Sequence, residues 1–236
     1  MNILTVTTFN NKLEAAYAHR FRETYNWPFQ LKVYNEDLGM YDQIPELKEF
    51  VNRNKDRHKF TSYEEKNNDY RTDGVRFCYK VYAYTDAILQ ASNAYNGIIC
   101  IDADSVFYKP IDGDWISKHI HRDDCMMTHL GRPSYSECGF LYFNMSHPET
   151  KNYARAMREM YDKDLIYKEK EQHDSYIWDV VRKRFEAKGV KNHNIGDNKE
   201  GHVQARSVLG PIYDHTKGNR KLSGKSPEAR VWLEFL

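Results

Sequence analysis

Apolar positions come in short blocks along this chain, and their spacing changes from block to block. The first block, Ile3-Leu4-Thr5-Val6-Thr7-Thr8-Phe9, is continuous, β-branched and closed by Asn10-Asn11. Such a run predicts a buried strand ended by a turn. Over 12–25, Leu13, Ala16, Tyr17, Arg20 and Phe21 stand near helical spacing, which predicts a helix. A second strand is expected over 29–34. Strand, helix and strand in that order argue for parallel pairing with a right-handed crossover.

Residues 35–73 are polar and rich in Asn, Asp, Lys and Glu, and read as a variable connection with one short helix near 45–53. Over 74–92, Phe77, Val81, Tyr84, Ile88 and Leu89 make one helical stripe. Asn96-Gly97 then turns the chain into Ile98-Ile99-Cys100-Ile101, a continuous apolar run of the kind found in a central parallel strand. Further strands are expected at 125–129 and 139–144, on either side of a Gly/Pro/Ser loop, and helices at 148–162 and 172–188. The last 45 or so residues are short on regular pattern, and no internal repeat or linker is visible. The expectation is one α/β domain with a mixed, mostly parallel central sheet flanked by helices.

Length and composition are compatible with that. The chain has 236 residues, 40% of them hydrophobic and 29% charged, with a formal net charge of +1. Nothing global demands nucleic acid or an anionic membrane. The charge is uneven, with 12 Lys+Arg against 6 Asp+Glu over 181–236. That segment suits a phosphate-bearing ligand, and it suits a solvated surface equally well. Cys78, Cys100, Cys125 and Cys138 have no C-x-x-C spacing, which argues against a zinc or thioredoxin-like site. Cys100 reads as a small core residue. The scattered thiols, the lack of a leader pattern at the N-terminus and the lack of a long apolar stretch give a cytoplasmic expectation. On that reading the Asn144-Met145-Ser146 sequon is a chance match. Trp27, Trp115, Trp178 and Trp232 are spread along the chain, and most of its aromatic rings are expected in or near the core.

The chemistry-bearing segment is IICIDADSVFYKP, residues 98–110. Asp102 and Asp104 leave the end of the buried strand two residues apart, and Val106-Phe107 continues in strand-like fashion. In an open α/β sheet, ligands collect at the carboxyl ends of the strands. Two carboxylates placed there repel unless a cation intervenes. A hard divalent cation takes oxygen ligands and shares them with substrate phosphates. The pair therefore suits a nucleotide diphosphate held by Mn2+ or Mg2+. Two aspartates capping a turn is the bland alternative.

This segment resembles the D-x-D of GT-A glycosyltransferases, with its strand, acidic pair and short following strand. Upstream, GVRFCYKVYAYTDAI resembles the helix before that motif, with Arg76 and Lys80 on one face. Downstream, GPIYDHTKGNRKLSGKS resembles the H-x-x-G-x-x-K stretch of glycosyltransferase family 8 and its relatives. His215, Gly218 and Lys221 fit that spacing, and Leu222-Ser223 stands where the family has Pro-Trp. The resemblance implies a single Rossmann-like GT-A domain, 1–110 being its nucleotide-binding half and 111–236 its acceptor and donor-sugar half. It implies His215 as a third metal ligand beside Asp102 and Asp104. It implies a nucleotide-diphosphate-sugar donor, foremost a UDP-sugar, and transfer with retention. The donor would meet Thr7, Thr8 and Phe9 at the first strand's end, Arg76, Lys80, Asp102 and Ala103 in the middle, and Lys217, Gly218 and Lys221 at the diphosphate.

Two further carboxylates are candidates. Glu137, in RPSYSECGFLYFN, is placed to hydrogen-bond sugar hydroxyls or act as a base, or is a plain loop carboxylate. Asp174, in EQHDSYIWDVV, is placed to orient the donor sugar or stabilise charge at the anomeric carbon, or merely caps a helix. His173 is the weaker candidate beside it. The acceptor stays open between a glycan, a protein, a lipid headgroup and a hydroxylated nucleic-acid base.

Three other functions compete. DADSV also fits the D-x-D-x-[TV] of haloacid dehalogenase-type phosphatases. That motif belongs after the first core strand and needs a later acidic pair, and Asp123-Asp124 follows too closely. A nucleotidyltransferase would need a glycine-rich loop after the first strand, which TTFNNKLEAA lacks. A catalytically silent sugar-nucleotide-binding protein stays open on sequence alone.

Overall fold

The computed structural model describes residues 1–57, 69–218 and 220–223. The expected Trp232 and the end of the C-terminal motif, 224–226, lie outside them, as does part of the polar connection.

In chain order the elements begin with β1 (Ile3–Phe9), α1 (Asn11–Leu13), a π-helical turn (Glu14–Ala18) and α2 (His19–Thr24). β2 (Gln30–Asn35), α3 (Met40–Gln43), α4 (Pro45–Asn54) and α5 (Gly74–Gln90) follow. Then come β3 (Gly97–Ile101), β4 (Ser105–Phe107), α6 (Gly113–His119), β5 (Cys125–Leu130) and β6 (Glu137–Asn144). The chain continues through α7 (Thr150–Asp162), α8 (Asp174–Glu186), β7 (Lys191–Asn194), α9 (Val203–Arg206), β8 (Tyr213–His215) and α10 (Arg220–Ser223).

Six strands form one sheet in the order β2-β1-β3-β6-β5-β7. β1 pairs parallel with β2 and β3, and β7 pairs parallel with β5. β6 runs antiparallel to both β3 and β5. Five strands therefore point one way, and their carboxyl ends share one edge. The opening strand-helix-strand unit is parallel, as its order predicts.

Alternation along the strands sends side chains to two cores. Leu4, Val6, Ile98, Cys100 and Leu141 face α4, α5, α7 and α8, where Tyr153 and Trp178 stack at 5.7 Å. Ile3, Ile99, Ile101 and Phe140 face Phe21, Trp27, Phe107, Ile116 and Tyr213. β3 is buried along its whole length because it has helices or loops on both faces.

One expectation changes and two gain detail. The helix over 12–25 is broken by the π turn, and its first piece is capped by the Asn10 side chain accepting from the Leu13 amide. The patternless C-terminal part holds short elements, β7, α9, β8 and α10. They are too brief for periodicity to register. Asn144 is buried, its side-chain amide donating to the carbonyls of Arg122, Asp123 and Cys125, so the sequon asparagine is not open to glycosylation in the fold. No helix among the described residues is long and apolar enough to cross a membrane.

Candidate functional site

β3 delivers Asp102 to the carboxyl edge of the sheet, where its amide donates to the Gly139 carbonyl at 3.1 Å. The chain turns through Ala103 and Asp104 into β4, and β4 pairs antiparallel with β8 with Ser105 opposite His215. Thr216 secures the junction. Its amide and its hydroxyl both donate to the Asp104 carbonyl, at 2.9 and 2.7 Å. This two-stranded ribbon brings His215 to the acidic pair across a long stretch of sequence.

The result is a tight cluster. His215 Nε2 lies 3.0 Å from Asp104 Oδ1 and 3.4 Å from Asp102 Oδ2. Potential ligand atoms of the three residues all lie within 4.8 Å of one another. Burial acts to lower the His215 pKa, but the carboxylates of Asp104 and Asp102 outweigh it and hold the imidazole above its usual range. Burial would likewise raise the Asp104 carboxyl, and His215 with Lys221 instead holds it far below the ordinary carboxylate range. The ring's other nitrogen, Nδ1, is buried without a hydrogen-bond partner and faces Glu137 Oε1 at 3.6 Å. Two carboxylates and an imidazole form a donor set that could hold a metal ion. Anchoring of β8 is itself layered. The His202 Nε2 donates to the His215 carbonyl at 2.9 Å while its Nδ1 accepts from the Ala205 amide.

Lys80, from α5, bridges to a third carboxylate. Its Nζ sits 2.6 Å from Asp102 Oδ1 and 2.7 Å from Asp174 Oδ2. Burial opposes the charge, yet the two carboxylates outweigh it and push the Lys80 pKa well above normal. Asp174 is lowered in turn, burial opposing and Lys80 prevailing. Cys138 Sγ completes this group, 3.1 Å from Lys80 Nζ, 3.0 Å from Asp174 Oδ2 and 2.8 Å from Ser175 Oγ. On the other side, Lys221 Nζ lies 2.9 Å from Asp104 Oδ2.

The remaining expected residues fall into place unevenly. Asp174 is the first residue of α8 and not its cap; His173 caps, its Nδ1 accepting from the Tyr176 amide at 3.4 Å. Asp174 is thereby free to face Lys80. Glu137 is only 4% exposed, paired with Lys217 and, at 3.3 Å, with Arg132. It lies beneath the site and not on an open loop. Thr7 and Phe9 are fully buried, Phe9 packing with Ala18 and Ala103. At the end of β1 the Thr8 hydroxyl donates to the Tyr34 carbonyl at 2.9 Å. Arg76 lies one turn before Lys80, its guanidinium 5.4 Å from the Phe77 ring centre. Gly218 has φ +60° with open space around its Cα, a conformation glycine adopts freely.

Sequence reasoning missed Arg132, Cys138 and Glu36. Glu36 follows β2, beside the end of β1, and accepts from the Asn10 side-chain amide at 3.0 Å. Burial pushes its carboxyl up to about 7, against the opposing hydrogen bonds from Asn10 and Thr8. Nothing in the local pattern marks Glu36 and Cys138, whose partners Asn10 and Asp174 are distant in sequence, or Arg132, which meets Glu137 only through the turn of the intervening loop.

No known family profile matches the sequence, and no curated protein does. Solved structures do. The glycosyltransferase GlyE of Streptococcus pneumoniae TIGR4 matches all of this chain and 60% of its own, at 10% identity and TM-score 0.53. Its apo form is matched over 45% of its length, so the chain spans less than two thirds of these structures. Two others match less closely in shape. A glycosyltransferase involved in glycosylation of the major capsid of PBCV-1 covers both chains fully at 11% identity and TM-score 0.44. Mouse xyloside xylosyltransferase 1 covers 93% of this chain and 98% of its own at 11% identity and TM-score 0.48. With the reversed β6, the D-x-D at the carboxyl edge of β3 and the likeness to GlyE, the chain has the GT-A glycosyltransferase fold.

Proposed function

We propose that this chain is a metal-dependent glycosyltransferase that moves a sugar from a nucleotide-diphosphate sugar, foremost a UDP-sugar, to an acceptor hydroxyl. The observation that carries the reading is the convergence of Asp102, Asp104 and His215 at the carboxyl edge of β3, flanked by Lys80 and Lys221. Those three residues would hold Mn2+ or Mg2+, which when bound supplies Lewis-acid neutralisation of the diphosphate. The nucleoside lies toward the ends of β1 and β2, near Thr8 and Glu36. Lys80 exchanges Asp102, and Lys221 exchanges Asp104, for phosphate oxygens, and both stabilise the charge that develops on departure.

The acceptor oxygen forms a bond to the anomeric carbon as that carbon's bond to the phosphate oxygen breaks. The electron pair leaves with the diphosphate, and the hydroxyl proton passes to the departing phosphate. Asp174, held by Lys80 and Cys138, faces the sugar and stabilises positive charge at the anomeric carbon. In a retaining course, bond making and breaking share one face of the ring.

The phosphatase reading of DADSV loses support on topology. It needs a second acidic pair near the first, yet Asp123 and Asp124 precede β5 and lie at the opposite edge of the sheet, where Asp124 pairs with Lys191. The test is release of nucleoside diphosphate from a panel of UDP-, GDP-, ADP- and TDP-sugars, with Mn2+ and without acceptor. Release from one donor, lost with chelator and in Asp104→Asn, is expected. Release that survives in Asp104→Asn with chelator present would overturn the reading.

A further inference from the structure

Outside the carboxylate cluster, one group of side chains has no part in the chemistry above. Tyr70, Phe77, Tyr135 and His173 come together from four separate parts of the chain. The Tyr135 ring centre lies 4.5 Å from that of His173, Tyr70 lies 5.6 Å away and Phe77 6.2 Å away. The Tyr70 and Tyr135 hydroxyls meet at 3.1 Å. Arg132 sits 4.9 Å from the Tyr135 ring centre, and its Nε donates to the Tyr135 carbonyl at 3.1 Å.

Three features distinguish this cluster from core packing. His173 at its centre is 1% exposed and held through both ring nitrogens, Nε2 lying 2.9 Å from Glu171 Oε2 and Nδ1 capping α8. The base of the cluster is thus rigid. Tyr70 at its rim is 44% exposed, the one aromatic residue among the strongly exposed large hydrophobics of the described residues. The members also border the site in sequence and in space. His173 precedes Asp174, Tyr135 stands two residues before Glu137, and Phe77 lies three residues before Lys80 on α5. Tyr135 leads into β6, which lies on the opposite side of β3 from β1, whose end serves the nucleoside in the proposed function.

We propose that this aromatic platform docks the acceptor, and that the acceptor is an uncharged glycan. The inference rests on the transferase reading above. A sugar ring has an apolar C–H face and a rim of hydroxyls. The exposed Tyr70 ring, backed by the half-buried Tyr135, supplies dispersion contact for the first, and the two phenol hydroxyls supply hydrogen bonds for the second. A nucleic-acid acceptor would also stack, but it needs unpaired cations along its phosphates. Here the charges are balanced locally. Arg71 pairs with Asp69 at 2.8 Å, and Arg132 with Glu137 at 3.3 Å.

The test is saturation-transfer NMR on the full chain with methyl α- and β-glycosides of glucose, galactose, mannose and xylose, and with an oligothymidylate as competitor class. At least one glycoside is expected to receive saturation at its ring protons. Its binding should weaken about tenfold in Tyr70→Ala and in Tyr135→Ala. Tyr70→Phe keeps the ring and is expected to keep most of the contact, which separates stacking from misfolding. Binding of no glycoside, binding indifferent to both alanine variants, or binding of the oligothymidylate in place of the sugars would overturn the proposal. No donor, metal or turnover enters this measurement. Failure of the platform and failure of the transferase reading are therefore separate results.

Discussion

The imidazole of His215 lies directly over the Cα of Gly139. A Cβ on Gly139 would stand 2.3 Å from both Nδ1 and Cε1 of that ring, closer than packed atoms allow. The ring has little room to yield, being 3% exposed and boxed in by Asp104 and Glu137. Gly139→Ala is therefore expected to displace His215 and weaken Mn2+ binding by about tenfold or more, in the range seen when a ligand's support is lost. Calorimetric titration with Mn2+ checks this. An unchanged affinity would mean that His215 does not ligate.

Lys80 bridges Asp102 and Asp174 and offsets the repulsion between them. Lys80→Met leaves Asp174, only 5% exposed at its side chain, facing a second carboxylate. A cost of about 3 kcal/mol is expected in urea unfolding, because a buried charge loses its partner. Adding Asp174→Asn should restore a large part of it, since the residues are in contact. Strictly additive losses would show that the bridge contributes nothing.

Lys221 competes for the carboxylate that a cation would use. Lys221→Ala is expected to tighten Mn2+ binding, by about threefold to tenfold at the effective dielectric of such a site, while slowing diphosphate release. Opposite signs for binding and turnover are the signature. If both fall together, Lys221 is part of the cation's support and not its competitor.

Glu36 gives the fold a pH dependence. Its carboxyl, raised from 4.5 to about 7, binds a proton in the folded state that the unfolded chain has already released. Over that window the folded state holds more protons, so stability falls as pH rises. At about 1.36 kcal/mol per pH unit the contribution is at most about 3 kcal/mol. Urea midpoints at pH 5 and pH 8 should converge in Glu36→Gln. An equal fall in wild type and variant would rule Glu36 out as the source.

Much of this was legible from residue order. The buried run before Asp102 needs no tertiary information to be read as a central strand, and its full burial follows. The spacing of His215, Gly218 and Lys221 marked the far segment, and the structure brings His215 and Lys221 to Asp104. What local pattern could not convey is which groups meet across the sheet. Cys138 touches Asp174 only because α8 packs on β6, and Glu137 is buried only because Arg132 and Lys217 close over it. Of the two readings open for Asp174, the cap is excluded, because histidine, a less common cap, holds the position that aspartate usually fills.

The β4–β8 ribbon also sets an order of events during synthesis. Asp102 and Asp104 leave the ribosome more than a hundred residues before His215, and the Asp104 carbonyl waits for Thr216 to arrive. Until then the nascent chain carries an acidic turn with neither imidazole nor Lys221 to balance it. Contacts of such long separation close late. Most of the sheet can therefore form before the Asp102–Asp104–His215 cluster is assembled, and closing the ribbon is what completes the site.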